Sequence, residues 1–474
     1  MKLKAICSII LFFCSIILTQ AQFNGKMKIY FNNPVNTTVS TGINAVYLNN
    51  SMDDTLAQYI NRAKYTLDIA VYNYQQSSSG MADIATAINN AQTRGVIVRW
   101  IYDGSQSNSG MSALNSNVHI LSSPTTSNYG IMHNKFMIID ANSSDINDPL
   151  VWTGSTNWTK THFNSNVNNT VIIQDKDLAQ AYLAEFNEMW GTAGTTPDSS
   201  NSKFGPYKTD PLTTHIFTID GKTIELYFSP TDGINSHVLS TINSADTDLY
   251  FGMLTFSLSD DADSVISNKN NGVYVAGIID QSSQIYAPYS MLNSALGTNF
   301  EVYSQLLSVY HNKILIVDPS NASSDPTVIT GSYNWTTSAD TQNDENALII
   351  HDSTVANIFY QSFYQNFSDL GGTLSVVTQQ DKLNFGDNSV IVFPTINNGN
   401  FTIKWQQTTA ADVAIAIYDL LGHKVITLLN DKRQVGINTY SCKNLNLKSG
   451  VYLVKIEIGN ADVILKIVKL YSEK

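Results

Sequence analysis

Two sets of polar residues recur in the chain with the same internal spacing. The first is His133, Lys135 and Asp140, followed by Gly154, Ser155 and Asn157; the second is His311, Lys313 and Asp318, followed by Gly331, Ser332 and Asn334. On a strand, residues i and i+2 share a face, so each His projects beside its Lys. Phe136 and Ile138, like Ile314 and Ile316, then point into a core. The Gly-Ser-x-Asn turn brings a hydroxyl, an amide and backbone N–H donors toward the same point. One set is an imidazole beside a cation and neutral donors, a site suited to a phosphoryl oxygen. Two sets facing each other place two imidazoles, two ammoniums and two amides around one phosphate. One His can attack phosphorus while the other protonates the leaving oxygen. Lys135, Lys313, Ser155, Asn157, Ser332 and Asn334 would stabilise charge on the non-bridging oxygens. Because the lysines fill that electrostatic role, no metal or other cofactor is expected. The chain also has no His-Glu-x-x-His, Asp-rich loop or Cys pair. His119, His162, His215, His237, His351 and His423 have no repeated partner and read as structural or surface residues.

These sets belong to a longer internal repeat. Gly95-Val96-Ile97-Val98-Arg99-Trp100-Ile101-Tyr102-Asp103 returns as Gly272-Val273-Tyr274-Val275-Ala276-Gly277-Ile278-Ile279-Asp280. Tyr182, Phe186 and Trp190 match Phe359, Phe363 and Phe367 on a closing helix. In the first half, helices are expected over 53–63 and 81–94, with Gly95 as a stop signal. Strands are expected over 66–72, 96–102, 135–140, 150–153 and 169–173, before an amphipathic helix over 178–190. Strand–helix alternation with near-continuous apolar strands predicts an α/β fold, an α-β-α sandwich in each half. The halves are placed at 22–195 and 213–370, joined by a Gly/Ser/Thr/Pro-rich linker over 191–212. From about residue 388 to 474 short alternating strands with Gly turns predict a small β-sandwich.

The 474 residues suit two or three domains, and 43% hydrophobic content is enough for sizeable cores. Lys2 and Lys4 precede a short apolar run from Ile9 to Leu18, and Thr19-Gln20-Ala21 ends in a small residue. Residues 1–21 therefore read as a secretory signal peptide, too short in its apolar part for a membrane anchor. Its removal takes Cys7 and Cys14 and leaves Cys442, so no internal disulfide is expected. The net charge of −12 disfavours non-specific binding to duplex DNA or to anionic membrane surfaces.

The duplicated His-x-Lys-x4-Asp pattern followed by Gly-Ser-x-Asn resembles the phospholipase D superfamily over roughly residues 27–370. The resemblance implies two halves packed about a pseudo-twofold axis with the site between them. It implies phosphodiester cleavage through a covalent phosphohistidine, with water or an alcohol as acceptor. It would make His133 the nucleophile and His311 the general acid, with Lys135, Lys313, Asn157 and Asn334 on the phosphate. Asp140 and Asp318, on the opposite strand face by parity, would be supporting residues. The superfamily also places an acidic residue after the Gly-Ser turn to hydrogen-bond the histidine. Glu345 fits that role for His311, whereas Asn168 holds the first-half position beside His133. That departure would weaken His133 as a base and leaves the two roles open to exchange.

The C-terminal segment resembles the sorting domain of type IX secretion, on Phe393-Pro394, Asn398-Gly399-Asn400-Phe401, Tyr418-Asp419-Leu420-Leu421-Gly422 and Leu447-Lys448-Ser449-Gly450-Val451-Tyr452. It implies the type IX machinery as a partner and a secreted or outer-surface location. The combined expectation is a secreted, monomeric phosphodiesterase acting on phospholipid. The alternative is an extracellular nuclease of the same superfamily. Acidity, and Ser/Asn-rich loops over 74–80 and 103–126 without Lys or Arg, weigh against a groove that tracks nucleic-acid phosphates.

Overall fold

A computed structural model describes residues 25–76, 81 and 83–374. In the C-terminal part it describes 383–385, 388–393, 396–397, 399, 401–419, 421–443, 445–448, 450–459 and 461–469. The leader expected over 1–21 lies outside the described residues. The first half runs β1 (Met27–Phe31), β2 (Val46–Tyr47), α1 (Met52–Ile60), β3 (Thr66–Val71), α2 (Ile84–Thr93), β4 (Ile97–Tyr102) and β5 (His119–Ser122). It continues with β6 (Lys135–Ile139), β7 (Leu150–Gly154), α3 (Lys160–Asn164), β8 (Asn169–Ile173) and α4 (Lys176–Trp190). The second half runs β9 (Ile216–Ile219), β10 (Lys222–Ser229), α5 (Ile234–Asn243), β11 (Asp248–Met253), α6 (Ser259–Asn270), β12 (Tyr274–Asp280), α7 (Ala287–Leu296) and β13 (Phe300–Tyr303). It ends with β14 (Lys313–Val317), β15 (Thr327–Gly331), α8 (Thr337–Thr341), β16 (Glu345–His351) and α9 (Ser353–Asp369).

Each half is one mixed eight-stranded sheet. The orders are β2-β1-β8-β7-β6-β3-β4-β5 and β9-β10-β16-β15-β14-β11-β12-β13. The two orders correspond strand for strand except at one edge, where β2 follows β1 and runs parallel to it but β9 precedes β10 and runs antiparallel to it. The edge strands β2 and β5 and the short helix α3 carry little apolar period; neither they nor β1, whose Met27, Ile29 and Phe31 alternate into the core, are among the elements expected from the sequence.

Local chemistry sets the helix ends. Asp83, Asp175 and Asp352 each accept a hydrogen bond from a first-turn N–H of α2, α4 and α9. Gly191 closes α4 at φ +80°, a left-handed conformation that favours glycine. Of the strand β6, Phe136 and Ile138 join the central core, while Met137 and Ile139 join an outer core beneath α1 and α2. Both faces of the strand are thus buried, which is why its sequence runs apolar without alternation. The central core is continuous across the halves. Phe136, Tyr182 and Phe186 of the first meet Phe228, Tyr250, Phe359 and Phe363 of the second.

Reciprocal hydrogen bonds mark a pseudo-twofold relation. Thr153 Oγ1 donates to Asn346 Oδ1 (3.0 Å) and Asn346 Nδ2 to Asn134 Oδ1 (2.7 Å). In mirror order, Thr330 Oγ1 donates to Asn169 Oδ1 (2.8 Å) and Asn169 Nδ2 to Asn312 Oδ1 (2.9 Å). Farther along the chain, a four-stranded and a five-stranded sheet share one core of Val390, Phe401, Trp405, Ile415, Ile417, Val454 and Ile456, the expected small β-sandwich. Among the described residues no helix is long and apolar enough to cross a membrane.

Candidate active site

His133 and His311 each sit two residues before a central strand, β6 or β14, and Lys135 and Lys313 are the first residues of those strands. Asp103, just after β4, and Asp280, the last residue of β12, hold the two histidine segments. Asp103 Oδ2 accepts from Met132 N (2.8 Å), and Asp280 Oδ2 accepts from Tyr310 N (2.9 Å). These are the last residues of the repeated Gly95–Asp103 and Gly272–Asp280 stretches, so the repeat carries a signal for both. The opposite half completes the anchoring. His133 N donates to Asp344 O (2.9 Å) and His311 N donates to Val167 O (3.0 Å). The two histidines are therefore drawn to the seam between the halves.

The partner of each imidazole also comes from the opposite half. Glu345 Oε2 lies 2.8 Å from His133 Nδ1, and Asn168 Oδ1 lies 3.0 Å from His311 Nδ1. This corrects the expectation that Glu345 serves His311 and that His133 faces Asn168. A residue at the start of β16 lies beside the histidine segment it anchors across the seam, not beside the one in its own half. Asn168 can only accept from His311. Its Nδ2 is committed to His162 O (2.9 Å) and Asn166 O (3.1 Å), which turns Oδ1 toward the imidazole.

Ser155 and Ser332 were expected to touch phosphate, and their placement revises that. Ser155 Oγ donates to Asn168 Oδ1 (3.0 Å) and accepts from Asn169 N (3.1 Å). Ser332 Oγ accepts from Asn346 N (3.0 Å) and hydrogen-bonds the Glu345 carboxylate. Both hydroxyls are fully buried and hold the residues that hold the histidines. Asn157 keeps a buried Oδ1 without a partner, with its Nδ2 3.3 Å from His162 Nε2. Asn334 Oδ1 accepts from Thr255 N (3.3 Å).

Asp140 and Asp318 lie outside the cluster. Both follow their strand in the left-handed region, at φ +52° and +49°. Asp140 accepts from the N–H groups of Lys64, Tyr65 and Thr66, and Asp318 from those of Asp246, Thr247 and Asp248. Each carboxylate thus fixes the start of the neighbouring strand, β3 or β11.

Two residues of the site had no signal in the repeat. The His162 ring, expected to be structural or on the surface, stands edge-on to His311 with centroids 4.3 Å apart. Ala339 occupies the corresponding place in the second half, between the same Thr cap and strand, so His162 has no matched partner in the repeat. The Tyr72 ring stands edge-on to His133 (4.9 Å) and under the Lys135 ammonium (5.2 Å).

Burial governs the charges. It pushes His133 down to about 4 against the pull of Glu345, so the imidazole is neutral near pH 7. Burial works to raise the Glu345 carboxyl, but His133 and Lys135 hold it below its ordinary value. The pair is a neutral imidazole donating Nδ1–H to a carboxylate, with the Nε2 lone pair free. Burial takes Lys135 down to about 7, opposed by Glu345 and Asp103, and takes Lys313 well below its ordinary value, aided by Lys135. Burial and Lys313 likewise keep His311 neutral. Lys135 Nζ and Lys313 Nζ (2.6 Å) donate to the carbonyls of His133 and His311. Two buried amines near one carboxylate make a site that an added anion would stabilise. No group of three or more His, Cys, Asp or Glu that could hold a metal ion occurs among the described residues.

Residues 56–190 and 238–367 match the family described as cardiolipin synthase, PLD-like domain. The chain belongs to the phospholipase D superfamily. Residues 391–470 match the secretion system C-terminal sorting domain. A mitochondrial cardiolipin hydrolase of Drosophila melanogaster is 32% identical over 160 residues, 30% of this chain and 60% of that protein. A phospholipase D of Rickettsia bellii is 27% identical over 152 residues, 31% of this chain and 71% of that one. The solved phospholipase D family member Nuc from Salmonella typhimurium is 26% identical, covering 32% of this chain and 97% of its own, with a TM-score of 0.28. Superfamily membership thus rests on both halves, whereas each of these relatives aligns with about a third of the chain.

Proposed function

We propose that this superfamily member is a secreted phosphodiesterase that hydrolyses a phospholipid through a covalent phosphohistidine, without a metal. The observation that carries the reading is the pairing of two buried His–Lys sets whose imidazoles have unlike partners, a carboxylate for His133 and an amide for His311. A carboxylate on Nδ1–H raises the nucleophilicity of the opposite nitrogen and stabilises the cationic adduct. An amide does neither, and so leaves His311 the better proton donor.

In the first step His133 Nε2 attacks phosphorus, forming a P–N bond as the bond to the head-group oxygen breaks. Protonated His311 gives its proton to that oxygen, and the head-group alcohol leaves. In the second step neutral His311 takes a proton from water, the hydroxide attacks phosphorus, and the P–N bond breaks. Phosphatidic acid leaves and both histidines return to their starting state. Lys135, Lys313, Asn157 and Asn334 stabilise the non-bridging oxygens throughout. The bound phosphodiester supplies the negative charge that restores both ammoniums and raises His311 enough to carry its proton.

The relatives named above, a cardiolipin hydrolase and a phospholipase D, support a lipid diester as substrate. The C-terminal sandwich supports export by the type IX machinery to the cell surface or beyond. The mature protein in EDTA should release head group from phosphatidylcholine or phosphatidylethanolamine, and His133→Ala and His311→Ala should abolish release. Cleavage of single-stranded DNA alone, lost in the same variants, would replace the lipid reading with the nuclease one.

A further inference from the structure

Three apolar side chains stand largely in water at one end of the second sheet, with Tyr286, 36% exposed, beside them. Leu306 is 98% exposed and Leu307 88%, on the loop between β13 and the His311 segment; Ile285 is 81% exposed, with Tyr286 beside it, on the turn that follows β12. Single exposed apolar residues are ordinary, but an adjacent leucine pair left almost wholly in water is not. β12 and β13 are neighbouring parallel strands, paired up to Asp280 and Tyr303, so both apolar segments leave the sheet side by side. Fraying does not explain the exposure, because the loop stem is held on both sides. Tyr303 Oη and Ser308 Oγ are 2.7 Å apart, Val309 N donates to Asn166 Oδ1 (3.1 Å), and Val167 N donates to Val309 O (3.0 Å). Those last bonds reach the first half at the seam, two residues before His311. The tip is thus presented by the same scaffold that presents the candidate catalytic histidine. The first-half counterpart, after β5, is Pro124-Thr125-Thr126-Ser127-Asn128, with no leucine.

We infer that Leu306, Leu307, Ile285 and Tyr286 form a wedge that inserts into a zwitterionic lipid surface beside the site. This deepens the phospholipid reading and rests on it. Four protruding side chains fall short of the roughly 800 Å² that each side of a standard protein interface buries. A fluid lipid surface needs no matching shape, only apolar groups that reach it. Residues 281–286 and 304–309 carry no charged side chain, so neither segment seeks an anionic head group. The acidic chain as a whole is repelled by one.

The test compares the full mature protein with Leu306→Ser/Leu307→Ser on phosphatidylcholine vesicles, on vesicles containing phosphatidylglycerol, and on dihexanoyl phosphatidylcholine below its micelle concentration. Vesicle partition and vesicle hydrolysis should fall by roughly tenfold per leucine, while hydrolysis of the dispersed lipid stays unchanged. Leu306→Trp should bind and show a blue-shifted emission when phosphatidylcholine vesicles are added. Unchanged vesicle binding in the double Ser variant would overturn the inference. So would a requirement for phosphatidylglycerol, or a tip that governs self-association instead, seen as dimer loss with vesicle binding intact. Failure of the unaltered protein to hydrolyse even the dispersed lipid would instead sink the phospholipid reading, leaving vesicle sedimentation to judge the wedge.

Discussion

At the scale of single residues, the difference between the two halves reduces to one functional group. Glu345 and Asn168 occupy matching places, and each reaches Nδ1 of a histidine in the other half. Replacing Glu345 by Gln keeps size and hydrogen bonding but removes the charge. Turnover should fall roughly 10²- to 10⁴-fold, with the melting temperature little changed. A loss under tenfold would mean that the carboxylate is not needed. The titrating groups also set a pH window. Protonation of His133, held down to about 4 by burial, removes the nucleophile on the acid side. Deprotonation of Lys135, brought down to about 7 by burial, removes a phosphate ligand on the alkaline side. His311, also held low by burial and Lys313, must carry the proton for the leaving oxygen, so kcat/KM should fall on the acid side near pH 4 and begin its alkaline fall no higher than about pH 7. A rate that keeps rising to pH 9 would contradict this assignment of charges.

At the scale of elements, the aspartates of the repeated motif act on strands and not on substrate. Asp140, in the left-handed region, accepts three consecutive backbone N–H groups at the start of β3. Asp140→Ala leaves those donors without their carboxylate and should cost about 2–3 kcal/mol in chemical denaturation. Its kcat/KM should keep the same pH profile in whatever protein remains folded. A shifted profile with normal stability would instead place the carboxylate in the chemistry. Strand parity assigns Asp140 and Asp318 to a supporting role, but parity alone does not say what they support. The partners lie some 75 residues away in sequence, at 64–66, and no spacing rule reaches that far. The central strands and closing helices were legible because they are apolar on both faces or in a clear helical stripe. The strands β1 and β2 were not, since β1 is placed by pairing with β8 and the two-residue edge strand β2 by pairing with β1.

At the scale of the molecule, duplication makes one site from two incomplete ones. The halves share one continuous core and exchange hydrogen bonds in mirror order, so each histidine is anchored by backbone of the opposite half. The repeat showed that His133, Lys135, His311 and Lys313 belong together. It did not show the crossing of partners, because linear order placed Glu345 near His311 and distance in the fold places it on His133. It also hid His162, which has no second copy. The central claim is that His133 forms the covalent bond and His311 moves the proton. A soluble diester with a nitrophenolate leaving group needs little protonation, so the two roles separate on it. Rapid acid-free quenching and peptide mass analysis should find a phosphoryl adduct on His133 in the unaltered protein and in His311→Ala, and none in His133→Ala. An adduct on His311, or turnover in His133→Ala, would contradict the assignment.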